Sequence, residues 1–285
     1  MSIRSLLVGC LRTGCVVWCL GSVTAIAAPA PPPGDPINEA RDSLRKRDAK
    51  RLATLRNTTR ADRHPLAQWV DYWELGNRIS EASTDEVEAF YQRWHGTYVE
   101  DRMRNDWLLE LGRRRDWLAF TRDHPRFRMN DDREVGCYWL LTEHIAGKRV
   151  YEAARALWFA QRDTDDGCTL MAAALIESKV FGADDIWMKL RLSVEANRPR
   201  VARAVAALVD KQAAAEVGEL LDNPVRTLRR RSGQPTAHQN DLALLAIIRT
   251  ATSDPDAAAA LMDERWHGAL GGERAAWAWA VIGKQ

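Results

Sequence analysis

The amino-acid sequence predicts an all-α fold in which short antiparallel helical hairpins stack into a solenoid or superhelix. Apolar residues recur at helical spacing through most of the 285 residues, and polar or Gly/Pro-containing turns interrupt them repeatedly. Strand-like alternation never extends beyond four residues. Short helices joined by short turns over such a length pack mainly on their neighbours, which is the packing of a helical solenoid.

The clearest helical hairpin begins after Arg133. Its apolar residues follow the helical period from Tyr138 to Ile145, and Gly147 then supplies a residue that tolerates positive φ at a helix end. The period restarts at Tyr151. Small and large residues alternate at the crossing in the manner of a tetratricopeptide-like hairpin, and the rest of the chain repeats the pattern.

Two cysteines lie outside the N-terminal segment, and each stands near the start of a predicted helix: Cys137 and Cys168. If the helix of Cys168 returns alongside the helix of Cys137, a disulfide between them is geometrically feasible. In a cytosolic protein the same two residues would be buried free thiols. The compartment therefore decides between the two alternatives.

The N-terminal segment predicts export. Residues 1–27 have the features of a secretory signal peptide, with an early arginine, an apolar run of 13 residues and a small-x-small motif before the bond between Ala27 and Ala28. The run is too short to span a bilayer as a helix. Cleavage leaves an Ala/Pro-rich linker, 28–35, before a helical domain, 36–285.

Export has consequences for the cysteines and for the charge. Three of the five cysteines leave with the signal peptide, so the remaining pair, Cys137 and Cys168, is predicted to form a disulfide in the periplasm. The net charge falls from +2 to about 0, which argues against a nucleic-acid partner. A competing motif, LVGC at 7–10, spells an acylation box at Cys10 but follows too few residues for a full apolar segment.

The whole superhelix is expected to contain about ten to twelve helices. Breaks are expected at Asn57–Thr59, at Ser80–Asp85 and at Asp123–Pro125, and a basic loop is expected from Arg226 to Thr236 before three last helices. The sequence stops inside an apolar helix at Gln285. Because a solenoid needs a capping element, we expect the helical domain to be truncated at that end.

Few residues point to chemistry. The sequence lacks a His-Glu-x-x-His zinc motif, a phosphate-binding Gly-rich loop and a Gly-x-Ser-x-Gly elbow, so we expect no metal, no cofactor and no catalytic residue. Two basic runs are weak candidates for glycan contacts. They are Arg113, Arg114 and Arg115, and Arg229, Arg230 and Arg231.

Tryptophan is abundant, with eleven residues outside the signal peptide. Exposed indoles would suggest sugar stacking. Most of these residues lie in apolar helical stripes, however, so core packing is the expected role. They are Trp69, Trp73, Trp107, Trp117, Trp139, Trp158 and Trp187.

The order of several segments resembles the N-terminal superhelical region of the soluble lytic murein transglycosylases of the Gram-negative periplasm. The matching segments are HPLAQWVDYWEL, ELGRRRDWLAF, GCYWLLTEHIAGKRVYEAARALWFAQR, the GC at 167–168 and DDIWMKLRLSVEAN. The paired cysteines before two successive helices are the most specific of these features. The resemblance covers nearly all of 35–285 and implies a right-handed, ring-like superhelix.

Family members also carry a lysozyme-like catalytic domain that cleaves the bond between N-acetylmuramic acid and N-acetylglucosamine and leaves a 1,6-anhydro end. Its general acid belongs to a Glu-Ser pair, and a Gly-Leu-Met-Gln run follows. Glu177-Ser178 is the single Glu-Ser pair in this sequence, and no such run follows it. We therefore carry over no catalytic residue and interpret Glu177 as an ordinary helix end.

Two functions remain open. By resemblance, the chain is a scaffold that contacts peptidoglycan glycan strands beside a catalytic domain in cis or beside other cell-wall proteins. Alternatively, it is a non-enzymatic periplasmic module whose helical repeats bind a protein or peptide. The chain as it stands is not expected to cleave peptidoglycan.

Overall fold

A computed structural model describes residues 34–229 and 236–285, and these residues form helices and turns without a β-strand. The predicted all-α fold class is therefore confirmed. In chain order the helices are α1 (Pro36–Lys46), α2 (Ala49–Ala61), α3 (Ala67–Asn77), α4 (Thr84–Arg93), α5 (Tyr98–Arg114), α6 (Trp117–Asp123), α7 (Arg133–Ile145), α8 (Tyr151–Ala160), α9 (Asp166–Glu177), α10 (Ala183–Glu195), α11 (Pro199–Ala207), α12 (Lys211–Asp222), α13 (Pro224–Arg229), α14 (Ala237–Ala251), α15 (Pro255–Leu261), α16 (His267–Leu270) and α17 (Gly272–Lys284). Short 3₁₀ turns at Ile79–Glu81 and His124–Arg126 and a π-helical turn at Met262–Trp266 complete the helical elements.

Local sequence signals set where most helices begin. In the first turn of α4, the hydroxyl of Ser83 accepts from the backbone N–H of Glu86, whose carboxylate accepts from the N–H of Ser83, so that two otherwise unpaired donors are satisfied. Acidic N-caps serve the same purpose elsewhere. They are Asp35, Asp48, Asp116, Asp132, Asp165, Asp210 and Asp254.

Helices up to α9 pack on their neighbours in the chain. α3, α5, α7 and α9 lie side by side in that order, and α4, α6 and α8 each contact the helices before or after them. This order of contacts is that of a helical solenoid, in which each hairpin is covered by the next. The right-handed sense of a superhelix stays a prediction.

The packing becomes more compact around α14. This helix contacts α10, α12, α13, α15, α16 and α17, and all residues from Asp241 to Ile248 are buried. A helix that is apolar on every side is stable in water only when other helices surround it. The segment DLALLAII therefore forms the centre of the C-terminal part.

α7 lies between the two large apolar clusters and contributes residues to both. Val135 and Tyr138 belong to the cluster formed with α3, α4, α5 and α6. Cys137 and Leu141 belong to the cluster that extends from α7 to α17. Because one helix contributes to both clusters, its position determines how the two parts of the chain meet.

Two glycines allow α7 to approach both of its neighbours. A Cβ added at Gly112 in α5 would lie 2.3 Å from the Tyr138 ring, and one at Gly167 in α9 would lie 2.7 Å from the carbonyl oxygen of Glu134. Neither position has room for a side chain. The row α5, α7, α9 therefore depends on glycine at both contacts.

The Cys137–Cys168 disulfide forms between α7 and α9, with the two Cα atoms 4.8 Å apart. The disulfide prediction is thus confirmed, and its premise, that the third helix returns alongside the first, is met by the packing of α9 on α7. Gly147 ends the hairpin's first helix with φ of 78°, as its sequence context indicated.

Three details of the sequence prediction were wrong. α2 runs through Asn57–Thr59 without a break, because the hydroxyls of Thr58 and Thr59 donate to the carbonyls of Thr54 and Leu55 and so are satisfied within the helix. Ile145, expected in the apolar stripe, is 63% exposed because α7 ends there. The helices of the described ranges also exceed the expected ten to twelve, since several are only two turns long.

The expected basic loop from Arg226 to Thr236 is partly helical. α13 includes Arg226–Arg229, because Pro224 favours a first helical turn and Leu228 is buried against the neighbouring helices. The segment 230–235 lies outside the described residues, as does the predicted signal peptide with its cleavage site at Ala27 and Ala28.

We expect Gly167→Ala to lower the free energy of unfolding by about 1 to 3 kcal/mol, because the added methyl group meets the backbone of α7. Gly218→Ala in α12 is the matched control, since nothing lies within 4 Å of its added Cβ. The control should gain about 0.5 to 1 kcal/mol from helix propensity. Urea denaturation measures both, and equal effects would contradict the close approach of α9 to α7.

We expect the denatured, unreduced protein to show no reactive thiol at Cys137 or Cys168 when labelled with a thiol reagent. Reduction should lower the free energy of unfolding by about 3 to 4 kcal/mol, because the disulfide closes a loop across a sequence separation of 31 residues. The Cys137→Ala/Cys168→Ala double variant should be insensitive to reductant. Two titratable thiols in protein isolated from the periplasm would contradict the prediction.

Candidate functional site

The first predicted arginine run is engaged in contacts within the protein. Arg113 pairs with Glu110 at 3.1 Å, and its side chain is 56% exposed. Arg114 pairs with the same carboxylate at 2.7 Å and also donates to backbone carbonyls of the turn at 79–82. Arg115 donates to both carboxylate oxygens of Asp166, at 2.5 and 2.9 Å. These contacts brace α5 against its neighbours, and a glycan contact by any of the three stays a prediction.

The second arginine run is only partly within the described residues. Arg229 ends α13 and is exposed. Arg230 and Arg231 lie outside the described residues. Their assignment as glycan contacts therefore also stays a prediction.

Glu177 and Ser178 stand at the exposed end of α9. The Ser178 hydroxyl lies 2.8 Å from the carbonyl oxygen of Ala174 and 3.2 Å from Nε2 of His144. Neither residue lines the cavity between α8, α10 and α11 or the one between α10, α12 and α14. Within 34–229 and 236–285, no group of three or more His, Cys, Asp or Glu side chains is placed to hold a metal ion.

A group of partly exposed rings is the strongest candidate for ligand contact, and we call it the aromatic surface: Trp69, Tyr72 and Trp73 of α3 and Tyr98 of α5. Trp69 is its centre, with ring centroids 6.0 to 6.4 Å from those of the other three residues. Tyr98 is 59% exposed. Flat rings offered at this spacing are suited to the apolar faces of sugar rings.

Polar groups stand beside the aromatic surface. The Tyr72 hydroxyl donates to Oδ2 of Asp106 at 2.6 Å, and Arg102 also interacts with Tyr72. Burial, together with the hydrogen bond to Asp106, raises the pKa of Tyr72 to about 12. The phenol therefore stays protonated at neutral pH. Arg102 and Asp106 add a donor and an acceptor of the kind that bind hydroxyl groups.

Sequence reasoning missed this surface because it assigned Trp69 and Trp73 to the core. Both rings do pack on apolar clusters on one side, but each is only half-buried. Helical periodicity finds the stripe of α3 and not the part of a large ring that extends beyond it. The sequence feature that could have indicated this surface is Tyr98, a large aromatic residue at the first position of α5.

Lys189 of α10 is the most unusual charged group outside the ion pairs. Its side chain is 1% exposed, and its Nζ donates to the carbonyl oxygens of Trp158 and Gln161, at 2.5 and 2.9 Å. Burial, and to a smaller extent the charge of Arg133, lower the pKa of Lys189 to about 8, against an opposing effect of Asp165. The charged form is therefore less favourable here than in water.

We expect the free energy of unfolding to rise with pH between about 8 and 10.5, relative to Lys189→Met. In this window the unfolded chain holds more protons at Lys189 than the folded chain, because the folded pKa is about 8 and the ordinary value is 10.5. The relative gain should approach roughly 3 kcal/mol. Urea denaturation at several pH values tests this, and parallel pH curves for the two proteins would contradict it.

The helical packing places the chain in the class of α-helical scaffolds built from stacked hairpins. Among the solved structures that are similar to it are three of lytic transglycosylases. They are an inactive variant of the lytic transglycosylase Slt from Pseudomonas aeruginosa (TM-score 0.57, 23% identity), the 70-kDa soluble lytic transglycosylase from Escherichia coli (0.60, 16%), and a complex of the 70-kDa soluble lytic transglycosylase with bulgecin A (0.59, 15%). The resemblance predicted from the sequence is thereby confirmed at the level of the fold.

Each match covers 87% of this chain but only 40 to 41% of the solved structure. The chain thus spans about two fifths of the length of the proteins whose fold it shares. No protein-family model and no curated protein matches the sequence. Across the residues that the structure describes, none of the helices has the length and apolar character that crossing a membrane requires.

Proposed function

We propose that the chain is a periplasmic, peptidoglycan-associated scaffold, exported by its N-terminal segment, that serves a lytic transglycosylase catalytic domain. The observation that carries this proposal is the shared fold over 87% of the chain with solved lytic transglycosylases. The disulfide between α7 and α9 supports an oxidising compartment. Residues 34–229 and 236–285 supply binding surfaces and spacing, and the glycosidic chemistry belongs to the catalytic domain.

The aromatic surface is the proposed contact with the glycan strand. Its rings provide stacking area, and the side chains of Arg102 and Asp106 provide hydrogen-bonding groups at its edge. A glycan strand is an extended polymer of sugar rings. The row of rings along α3 and at the start of α5 therefore fits a glycan strand better than Arg113, Arg114 and Arg115 do, because these arginines are already paired within the protein.

We expect Tyr98→Ala to weaken co-sedimentation of the purified protein with sacculi by about three- to tenfold, because one stacked ring contributes about 0.5 to 1.5 kcal/mol. Leu118→Ala is the matched control, since Leu118 is 83% exposed and lies on α6, outside the aromatic surface. The control should bind as the unsubstituted protein does. Equal binding by both variants would remove the aromatic surface from the proposal.

The same incubation tests the absence of catalysis. If anhydromuropeptides appear by mass spectrometry and vanish with Glu177→Gln, then Glu177 is a catalytic acid and the scaffold proposal is wrong. Reading the gene beyond Gln285 is a further discriminator. A frame that encodes a Glu-Ser pair and a Gly-Leu-Met-Gln run supports a catalytic domain in cis.

A second candidate function is a non-enzymatic interaction module, and an apolar pocket favours it. A cavity of about 130 Å³ lies between α10, α11, α12 and α14, with Trp187, Leu190 and Val209 among its lining residues. Val209 is 44% exposed at this cavity. The pocket has the size and character to receive one apolar side chain of a protein partner. Failure to bind sacculi, together with an unrelated gene after a clean stop, would favour this function.

A further inference from the structure

A second cavity, distinct from the aromatic surface, lies between the end of α8 and helices α10 and α11. Its volume is about 500 Å³, within the usual range for small-molecule sites. Three cationic residues and no carboxylate line it. The lining includes Gln161, Arg162, Lys189, Leu192, Arg198 and Val201.

The ammonium group of Lys189 is buried at this cavity without a counter-ion. Among the described residues, no carboxylate oxygen lies within ion-pair distance of its Nζ, and the two carbonyls of Trp158 and Gln161 take two of its three N–H groups. One donor is therefore left. A buried ammonium group is costly unless an anion or further acceptors compensate it.

A second unpaired donor lies in the lining of the same cavity. Nε2 of Gln161, a residue that is 6% exposed, is buried without a hydrogen-bond partner. Two carboxylates in the turn after α8 are already engaged, since Asp165 pairs with Arg133 at 3.1 Å and Asp163 with Arg198 at 3.2 Å. The cavity thus offers an excess of donors and positive charge.

Part of the cavity wall is apolar, although Ser193 also belongs to the lining. Leu192 and Val201 contribute side chains to its wall. A bare inorganic ion would satisfy the donors and leave this wall uncovered. The combination favours a ligand that carries both an anionic group and a small apolar part.

Capping of α8 by Lys189 explains only part of this arrangement. A lysine that donates to the last carbonyls of a helix satisfies groups that lack a partner within the helix. Capping accounts neither for the unpaired amide of Gln161 nor for the cationic side chain of Arg162 in the lining.

We propose that this cavity binds a small organic carboxylate of about the size of a dipeptide. The carboxylate accepts hydrogen bonds from Nζ of Lys189 and Nε2 of Gln161, and the apolar part lies on Leu192 and Val201. Arg162, at the exposed rim, attracts the anion. This site is independent of the proposed glycan contact on α3 and α5.

Isothermal titration of the full chain with N-acetyl-alanyl-alanine tests the proposal, with the C-terminally amidated dipeptide and inorganic phosphate as comparison probes. We expect binding of the free carboxylate at millimolar concentration, and binding at least about tenfold weaker for the amide and for phosphate. The D,D and L,L forms of the dipeptide distinguish a cell-wall peptide from a protein C-terminus as the source. Equal binding of the amide, preference for phosphate, or no binding of the carboxylate would overturn the proposal.

Two variants locate the site. Arg162→Glu reverses a charge at the exposed rim and should weaken binding at least about tenfold, whereas Arg41→Glu makes the same change on α1, away from the cavity, and should leave it unchanged. Lys189→Met should abolish binding. If that variant fails to fold, Arg162→Glu still decides, and an unchanged affinity would place the ligand elsewhere.

Discussion

The buried ring of Tyr138 is the contact on which the middle of the molecule depends. It lies against Gly112 of α5, and its hydroxyl donates to Asp166 at the start of α9. Arg115 pairs with the same carboxylate and lowers its pKa, while burial raises the pKa of Tyr138. One side chain of α7 therefore contacts both α5 and α9. The disulfide at the preceding residue, Cys137, links α7 to α9 covalently at the same place.

The charged residues of this chain are largely used for internal support. Arg104 in α5 is 1% exposed, pairs with Glu100 at 2.9 Å and Asp123 at 3.2 Å, and places its guanidinium 4.1 Å from the centre of the Tyr91 ring. Breaking such a buried pair leaves an uncompensated charge, which costs far more than the pair contributes. The polar inner face of α5 is thus a constraint on how its neighbours pack. An abundance of arginine is accordingly weak grounds for expecting an anionic ligand in this fold.

The sequence predicted the elements that follow from local pattern. Helical spacing of apolar residues predicted the all-α class, and the tolerance of glycine for positive φ predicted the helix end at Gly147. The expected oxidising compartment predicted the Cys137–Cys168 disulfide. Periodicity failed at Asn57–Thr59, where hydroxyl groups bond back to the helix, and at 226–229, where burial of Leu228 stabilises a short helix in a basic segment. The first error arises from local side-chain-to-backbone hydrogen bonds within the helix, and the second arises because tertiary burial overrides local propensity.

The candidate sites were less predictable for a related reason. Trp69 and Tyr98 come together only when α3 packs beside α5, and Lys189 meets the end of α8 only when α10 folds back on it. The spacing of residues along one helix contains no information about either of these contacts between helices. The sequence does show residue types that are unusual for their position and so indicate a candidate site. Examples are the tyrosine at the first position of α5, Tyr98, and the lysine in the apolar stripe of α10, Lys189.

The order of helix contacts determines how far a change at one surface affects the other. The aromatic surface belongs to α3 and α5, the Lys189 cavity to α8, α10 and α11, and the junction at Tyr138 lies between them. Among α1 to α9, where each hairpin contacts mainly its neighbours, stability is approximately a sum of local terms, and a change on α3 or α5 is felt mostly by the next hairpin. The two sites are therefore able to vary independently, provided that α7 stays fixed to both sides. The close glycine contacts and the disulfide meet this requirement, because they hold α7 against both α5 and α9.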